Sequence, residues 1–223
     1  MARQLRLRLD RPPAYAREDF VAGAPNAAAL AALDAWPDWH GGCLVLTGPE
    51  GVGKTHLSHA WARAAGAAEL DRAAPDLAAA AGRPALIEDA DQGVPDEALF
   101  HLINMAGRDG GGLLLTARRP PVTWACALPD LRSRLNALPV VEIEDPDDPI
   151  LVGVLRRLFR QRNIRPPEDV YPYLLRRMRR SIPEARQIVE RLDEAADELQ
   201  RPVSRALARQ ILEDNDENLD LFE

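Results

Sequence analysis

The chain has 223 residues, a net charge of −7 and an isoelectric point of about 5.2. This acidic balance argues against a general nucleic-acid-binding protein, although it is compatible with a local basic patch. The hydrophobic content of 46% is enough for a substantial core, and no stretch is long enough to span a membrane. The first residues hold no apolar run typical of a signal peptide, so we expect a cytoplasmic protein.

Residues 1–19 are predicted to form an N-terminal arm. The arm contains a glutamine followed by alternating leucines, namely Gln4, Leu5, Leu7 and Leu9. A glutamine side chain offers both a donor and an acceptor, and alternate leucines on an extended chain can fill an apolar pocket of a partner. The alternative is an edge strand with the three leucines on one face.

Between residues 20 and 144, short apolar runs alternate with helical patterns. The runs predicted as strands are Leu44–Leu46, Ala85–Ile87, Leu113–Leu115 and Val140–Ile143. This alternation predicts an α/β fold with a parallel sheet covered by helices. Ligands of such sheets bind at the carboxyl ends of the strands.

A glycine-rich segment after the first predicted strand carries the pattern Gly-x-x-x-x-Gly-Lys-Thr, typical of a phosphate-binding loop. Lys54 is the only lysine among 28 lysine and arginine residues, and a compact ammonium fits a tight phosphate loop better than a planar guanidinium. Thr55 would place a hydroxyl on Mg²⁺. A chance match in a glycine turn is the alternative. The residues predicted to bind nucleotide here are Gly48, Pro49, Glu50, Gly51, Val52, Gly53, Lys54, Thr55 and His56.

Two acids, Glu88 and Asp89, follow the second predicted strand. A phosphate-loop ATPase needs one acid that helps to hold Mg²⁺ and one that polarises water. We assign Glu88 to the metal and Asp89 to catalysis, with a solvated acidic turn as the alternative. Thr116 ends the third predicted strand and lies where a sensor of the γ-phosphate is expected.

Two arginines, Arg132 and Arg134, flank a serine just before the last predicted strand. Such arginines are usually part of an exposed charged turn. The functional interpretation is an arginine finger that acts on the nucleotide of a neighbouring subunit and stabilises the charge that develops during phosphoryl transfer.

A charged, proline-rich segment over residues 144–149 marks a predicted boundary, after which only helices are expected. Asp148 is predicted to cap the first helix, with Pro149 at its first position. The second helix is expected over residues 168–179, the third after Ser181 and the fourth from Pro202. The predicted parts are an arm over 1–19, a nucleotide-binding base over 20–144, a helical lid over 145–213 and a loose acidic tail over 214–223.

Together these motifs resemble the AAA+ ATPases related to the bacterial initiator DnaA, in particular the Hda proteins of alphaproteobacteria, small DnaA homologues that inactivate DnaA. The resemblance covers nearly the whole chain and rests on segments 20–26, 36–39, 116–121 and 131–135 besides the phosphate loop. It implies an AAA+ base with a helical lid that binds ADP or ATP with Mg²⁺. The roles that it implies are adenine binding by Phe20 and Val21, γ-phosphate sensing by Thr116, an arginine finger at Arg134 and a lid sensor at Arg186.

The resemblance also implies a function for the N-terminal arm. Residues Gln4, Leu5, Leu7 and Leu9 are similar to the peptide by which Hda proteins bind the DNA sliding clamp, the beta subunit of polymerase III. The tail segment 218–222 is similar to a shorter clamp-binding peptide, with asparagine in place of glutamine. Contact with DNA is then expected to be indirect, through the clamp.

The resemblance implies a negative regulator of replication initiation that docks on the clamp and presents Arg134 to ATP held by DnaA. Glu88 stands where an aspartate is usual, and Arg118 where an acid is frequent, so we expect weak hydrolysis by the chain itself. Two alternatives stay open, a non-catalytic nucleotide-dependent adaptor and a helicase-loader-like ATPase that binds single-stranded DNA. The sequence does not decide between Arg132 and Arg134, between ADP and ATP, or between a monomer and a homodimer.

Overall fold

The computed structural model describes residues 15–108 and 110–219, and the side chains as far as residue 212. The predicted clamp-binding residues lie outside the described residues, and this holds for Gln4, Leu5, Leu7 and Leu9. Of the tail segment 218–222, residues 220–222 also lie outside them. No helix of the described part is long and apolar enough to cross a membrane.

A five-stranded parallel sheet forms the centre of the base, in the order β2-β3-β4-β1-β5. Its strands are β1 (Cys43–Thr47), β2 (Ala68–Glu69), β3 (Pro84–Ile87), β4 (Gly112–Ala117) and β5 (Val140–Glu142). The predicted α/β fold and its four strands are confirmed. Strand β2 was not predicted, because a two-residue strand carries too short a pattern to be distinguished from a turn.

The neighbouring strands β1 and β4 are buried along their whole length, as expected for a parallel sheet covered on both faces. Alternate residues face opposite cores. Val45 and Leu115 pack with α3 on one face, whereas Leu44 and Leu114 pack with α2 on the other. The helices of the base are α1 (Ala27–Asp34), α2 (Lys54–Ala65), α3 (Asp96–Ala106) and α4 (Pro129–Ala137).

The remaining helices pack around a third core, to which Leu155, Phe159 and Ile188 contribute. They are α5 (Asp148–Gln161), α6 (Val170–Leu175), α7 (Ile182–Leu199) and α8 (Arg205–Leu219). Helix α6 is shorter than the sequence predicts. The acidic tail was expected to be loose, but α8 continues through it to Leu219.

Two caps decide where the first and third of these helices begin. Ser181 caps α7 as predicted, and its hydroxyl accepts a hydrogen bond from the Glu184 N–H at 3.2 Å. The predicted cap of α5 at Asp148 is wrong by one residue. The carboxylate of Asp147 accepts from the Ile150 N–H at 2.9 Å, and Asp148 lies inside the helix and pairs with Arg180.

Replacing Asp147 with alanine should therefore lower the free energy of unfolding by about 1 kcal/mol, because the first turn of α5 loses the acceptor of one N–H group. Asp148→Ala is the matched control and should cost less, since it removes an exposed ion pair and a charge of the first turn but no acceptor of a helix N–H group. Urea denaturation of both variants measures the difference. An equal or larger loss for Asp148→Ala would contradict the assignment of the cap.

Candidate functional site

The phosphate loop joins β1 to α2 and is enclosed from two sides. Gly51 and Gly53 have φ values of 77° and 107°, which favour glycine. A Cβ at Gly51 would lie 2.4 Å from the ring of Pro183, at the start of α7. A Cβ at Gly53 would lie 2.8 Å from the ring of Phe20. The loop is thus bounded by the first turn of a lid helix and by the segment predicted to bind adenine.

Lys54 begins α2 and is 8% exposed. Its ammonium donates to the carbonyl oxygens of Gly48, at 2.8 Å, and Pro49, at 2.7 Å. Burial lowers the pKa of Lys54, and the charge of Asp89 partly opposes this effect. A desolvated ammonium beside the positive end of a helix attracts an anion strongly. The loop can therefore bind phosphate groups.

The two acids after β3 meet Thr116, which is 1% exposed at the end of β4. The Thr116 hydroxyl donates to Glu88 Oε1 at 3.2 Å and accepts from the Asp89 N–H at 2.9 Å. Ser58 of α2 also donates to Glu88 Oε1, at 2.8 Å. The structure thus brings together the side chains of the predicted metal acid and the predicted sensor, and the predicted catalytic acid joins them through its backbone N–H. Whether Thr116 also reads the γ-phosphate stays a prediction.

One histidine of this region was missed by the sequence analysis. His59 Nε2 lies 3.5 Å from Glu88 Oε2, and its Nδ1 lies 3.0 Å from Glu69 Oε1. The spacing of four residues from Thr55 places His59 on the same face of α2 and is the signal that could have identified it. It is part of the environment of the predicted metal acid.

A buried acid, Asp91, organises the turn after β4. Its side chain is 3% exposed, and Oδ2 accepts from the N–H groups of Arg118, at 3.2 Å, and Arg119, at 3.3 Å. The guanidinium of Arg118 lies 3.0 Å from Glu50 Oε2 of the phosphate loop. Arg118 is the residue that stands where an acid is frequent in DnaA-related proteins. It connects the turn after β4 to the phosphate loop through an exposed ion pair. Such a pair contributes little stability.

The predicted adenine side of the site is a cavity of about 490 Å³. The His56 ring lies 5.5 Å from the Phe20 ring, and its Nε2 lies 2.7 Å from the Ala16 carbonyl oxygen. Burial lowers the pKa of His56, so its neutral form is favoured. Residues from the N-terminal segment and from α5 line the cavity: Glu18, Asp19, Phe20, Val21, Gly153, Arg157, Arg160 and Gln161.

The predicted lid sensor, Arg186, is exposed on α7. Its charge, together with the larger effect of burial, lowers the pKa of Arg157 on α5. Arg157 lies 3.1 Å from Asp19 Oδ2 and also donates to the Asp19 carbonyl oxygen. Arg186 therefore lies close enough to Arg157, which lines the predicted adenine cavity, for the two charges to interact.

The two candidate finger arginines differ in their surroundings. Arg132 donates to the carbonyl oxygens of Pro121, Val122 and Trp124 and so holds its own loop in place. Arg134 is exposed, and its guanidinium lies 5.0 Å from the centre of the Phe100 ring. Of the two, Arg134 has the side chain that can reach another molecule.

A magnesium ion fits this site only together with phosphate. Among residues 15–108 and 110–212, no group of three or more His, Cys, Asp or Glu side chains could hold a metal ion. Mg²⁺ is commonly bound by one or two protein oxygens and the phosphates of a nucleotide. Thr55, which is exposed on the first turn of α2, and Glu88 are the groups that would hold it.

No family model matches the chain. It is 28% identical over 233 residues to the chromosomal replication initiator protein DnaA of Cutibacterium acnes, in an alignment that covers 91% of this chain. The alignment covers 46% of the relative, so the chain spans about half the length of the curated relative that it matches.

The chain has an α/β P-loop fold of the AAA+ type. Domain III of the Thermotoga maritima replication initiation protein DnaA superposes with a TM-score of 0.71 and 20% identity, over 91% of this chain and 97% of that one. AMPPCP-bound DnaA from Aquifex aeolicus gives a TM-score of 0.66 with 20% identity, over 84% and 67% of the two chains. The chain is therefore DnaA-like in sequence over most of its length and has the fold of DnaA domain III.

Proposed function

We propose that this DnaA-like chain binds an adenine nucleotide between base and lid and acts as a negative regulator of replication initiation, in the manner of the Hda proteins. The observation that carries the nucleotide part is the enclosure of an intact phosphate loop. Lys54 is buried within the loop, and Phe20 and Pro183 close against it. The AMPPCP bound to the Aquifex aeolicus DnaA supports the same ligand class.

Binding would redirect the Lys54 ammonium from two loop carbonyls to the β- and γ-phosphates. The N–H groups at the start of α2 would face the same phosphates. When bound, Mg²⁺ supplies charge neutralisation to the phosphate oxygens. Thr55 and Glu88 would hold it, and Asp89 would polarise the attacking water.

The regulatory part rests on Arg134. In phosphoryl transfer a guanidinium stabilises negative charge on the transferred group, and it can be supplied by a neighbouring molecule. Arg134 is exposed, whereas Arg132 is used by carbonyl oxygens of its own chain. We therefore assign Arg134 as the finger that promotes hydrolysis of ATP held by DnaA.

One set of contacts favours a second candidate function, a non-catalytic nucleotide-dependent adaptor. Both carboxylate oxygens of Glu88 lie within 3.5 Å of side chains of the same chain, those of Ser58, Thr116 and His59. These contacts orient Glu88 for binding of Mg²⁺ together with a nucleotide, and none of the three activates a water for hydrolysis. Turnover of ATP by the purified chain distinguishes this adaptor from a self-sufficient ATPase.

Docking on the DNA sliding clamp is the remaining part of the proposal. The motif of Gln4 and its leucines precedes Tyr15, the first described residue, which packs against α2 beside the nucleotide site. A clamp bound to the arm would hold the base close to DNA without direct DNA contact. DnaA bound to DNA nearby would then meet Arg134 at a high effective concentration.

The double substitution Gln4→Ala with Leu5→Ala should abolish clamp binding and leave nucleotide affinity unchanged, because the arm precedes the base and its first motif position supplies the polar contact. Surface plasmon resonance on immobilised clamp measures binding, and calorimetry with ADP is the control. If the double variant binds the clamp with wild-type affinity, the assignment of the arm is contradicted. The tail segment 218–222 would then be the candidate for clamp binding.

A further inference from the structure

His59 links the N-terminal segment to the acid predicted to hold Mg²⁺. We propose that His59 is a positioning residue for the Glu88 carboxylate, and that the Tyr15 ring, stacked on His59, makes this positioning depend on the segment that follows the arm. The inference rests on the proposed nucleotide binding and adds a residue and a route of regulation to that site.

The first observation is the pair of contacts on the imidazole. Nε2 lies 3.5 Å from Glu88 Oε2, and Nδ1 lies 3.0 Å from Glu69 Oε1 at the end of β2. The side chain of His59 is 23% exposed, and Glu88 is 28% exposed, so this pair is largely shielded from water. Glu69 therefore fixes the rotation of the ring, and the ring faces Glu88.

The second observation concerns the other oxygen of Glu88. Oε1 accepts from Ser58 and Thr116, which fixes one end of the carboxylate. Among the described residues, His59 is the side chain that contacts Oε2. A glutamate has more rotatable bonds than an aspartate and loses more rotamer freedom when it is fixed. A contact at each oxygen therefore determines where this longer acid points.

The third observation connects the ring to the N-terminal segment. The Tyr15 and His59 rings are stacked, with centroids 4.8 Å apart and an interplanar angle of 12°. The next residue, Ala16, is bound through its carbonyl oxygen to His56 Nε2 at 2.7 Å. Both contacts are made to histidines of α2. A displacement of this segment by a partner on the arm would remove the ring that covers His59.

Calorimetric titration with ATP, in the presence of Mg²⁺ and in EDTA, tests this inference. The quantity measured is the gain in ATP affinity that Mg²⁺ provides. His59→Ala should reduce this gain about 10-fold, in the range typical of residues that orient a metal ligand, and leave the affinity in EDTA unchanged. His59→Gln should restore part of the gain, because its amide NH₂ group is a donor that can face Glu88 Oε2.

The Tyr15 variants test the link to the arm. Tyr15→Phe keeps the stacked ring and should behave as the wild type, whereas Tyr15→Ala should reduce the Mg²⁺ gain about threefold, as expected for the loss of one aromatic pair. His40→Ala is the matched control, because this histidine is exposed in the turn before β1. If His59→Ala fails to fold, His59→Gln and Tyr15→Ala carry the test.

The outcomes separate this inference from the proposed function. An undiminished Mg²⁺ gain in His59→Ala would overturn the positioning role while leaving the nucleotide site intact. Equal losses of affinity with Mg²⁺ and in EDTA would also overturn it, since they indicate a structural role of His59. A wild-type chain that binds no nucleotide under either condition would instead refute the proposed function.

Discussion

Lys54→Ala is expected to abolish nucleotide binding. The wild-type chain at a nucleotide concentration of 100 times Kd should gain about 2.7 kcal/mol of stability. For a chain of this size that corresponds to a rise in melting temperature of roughly 5–10 °C. The variant should show no rise, because it lacks the ammonium that meets the phosphates. Melting curves with and without ADP measure both quantities.

Two further variants sharpen this prediction. Lys54→Arg keeps the positive charge but widens the group, and it should also lose the ADP-dependent rise, since a planar guanidinium does not fit the tight loop. Arg63→Ala removes an exposed cation from the last turn of the same helix and should keep the full rise. Equal ADP-dependent rises in melting temperature for the wild type and Lys54→Ala would show that the nucleotide does not bind at this loop.

Arg134→Ala is expected to keep nucleotide binding and clamp binding and to lose stimulation of ATP hydrolysis by DnaA. Arginine fingers supplied by a partner are worth roughly a thousandfold or more in rate in well-studied GTPases. Arg134→Lys should recover little of this effect, because an ammonium lacks the rigid planar fork with which a guanidinium matches two phosphate oxygens. Phosphate release from DnaA-bound ATP, in the presence of clamp and DNA, measures the stimulation.

Arg132→Ala should act differently. Its guanidinium holds three carbonyl oxygens of the loop before α4, so the variant should lose about 1–2 kcal/mol of stability while it keeps part of the stimulation. Phe100→Leu keeps an apolar side chain under Arg134 but removes the aromatic ring, and it should weaken stimulation without unfolding the base. If Arg132→Ala, Arg134→Ala and the double variant all stimulate DnaA fully, the assignment of an arginine finger is contradicted. The non-catalytic nucleotide-dependent adaptor would then be the better explanation.

The parallel sheet and the phosphate loop were predictable because their signals are local. Strand β1 is a continuous apolar run, and the loop has a fixed spacing of glycines before Lys54. The acids after β3 were predictable by their position at a strand end. Their meeting with Thr116 follows from the parallel register of β3 and β4, in which Ile87 pairs with Leu115.

The parts that were not predicted depend on contacts between residues distant in sequence. His59 gains its partners only because β2 and β3 bring Glu69 and Glu88 to the same face of α2. Asp91 is buried by the turn after β4, which its own charge organises. The cap of α5 was misplaced by one residue because adjacent aspartates, Asp147 and Asp148, have the same propensity for that position.

Single-turnover hydrolysis of ATP preloaded on DnaA tests the central claim most directly. The reaction would contain the wild-type chain, ADP and clamp loaded on DNA, with the chain, ADP or clamp omitted in turn. The proposed function predicts that hydrolysis accelerates only when all three are present. Hydrolysis at the rate of DnaA alone in the complete mixture would contradict it, even if the chain binds both ADP and clamp.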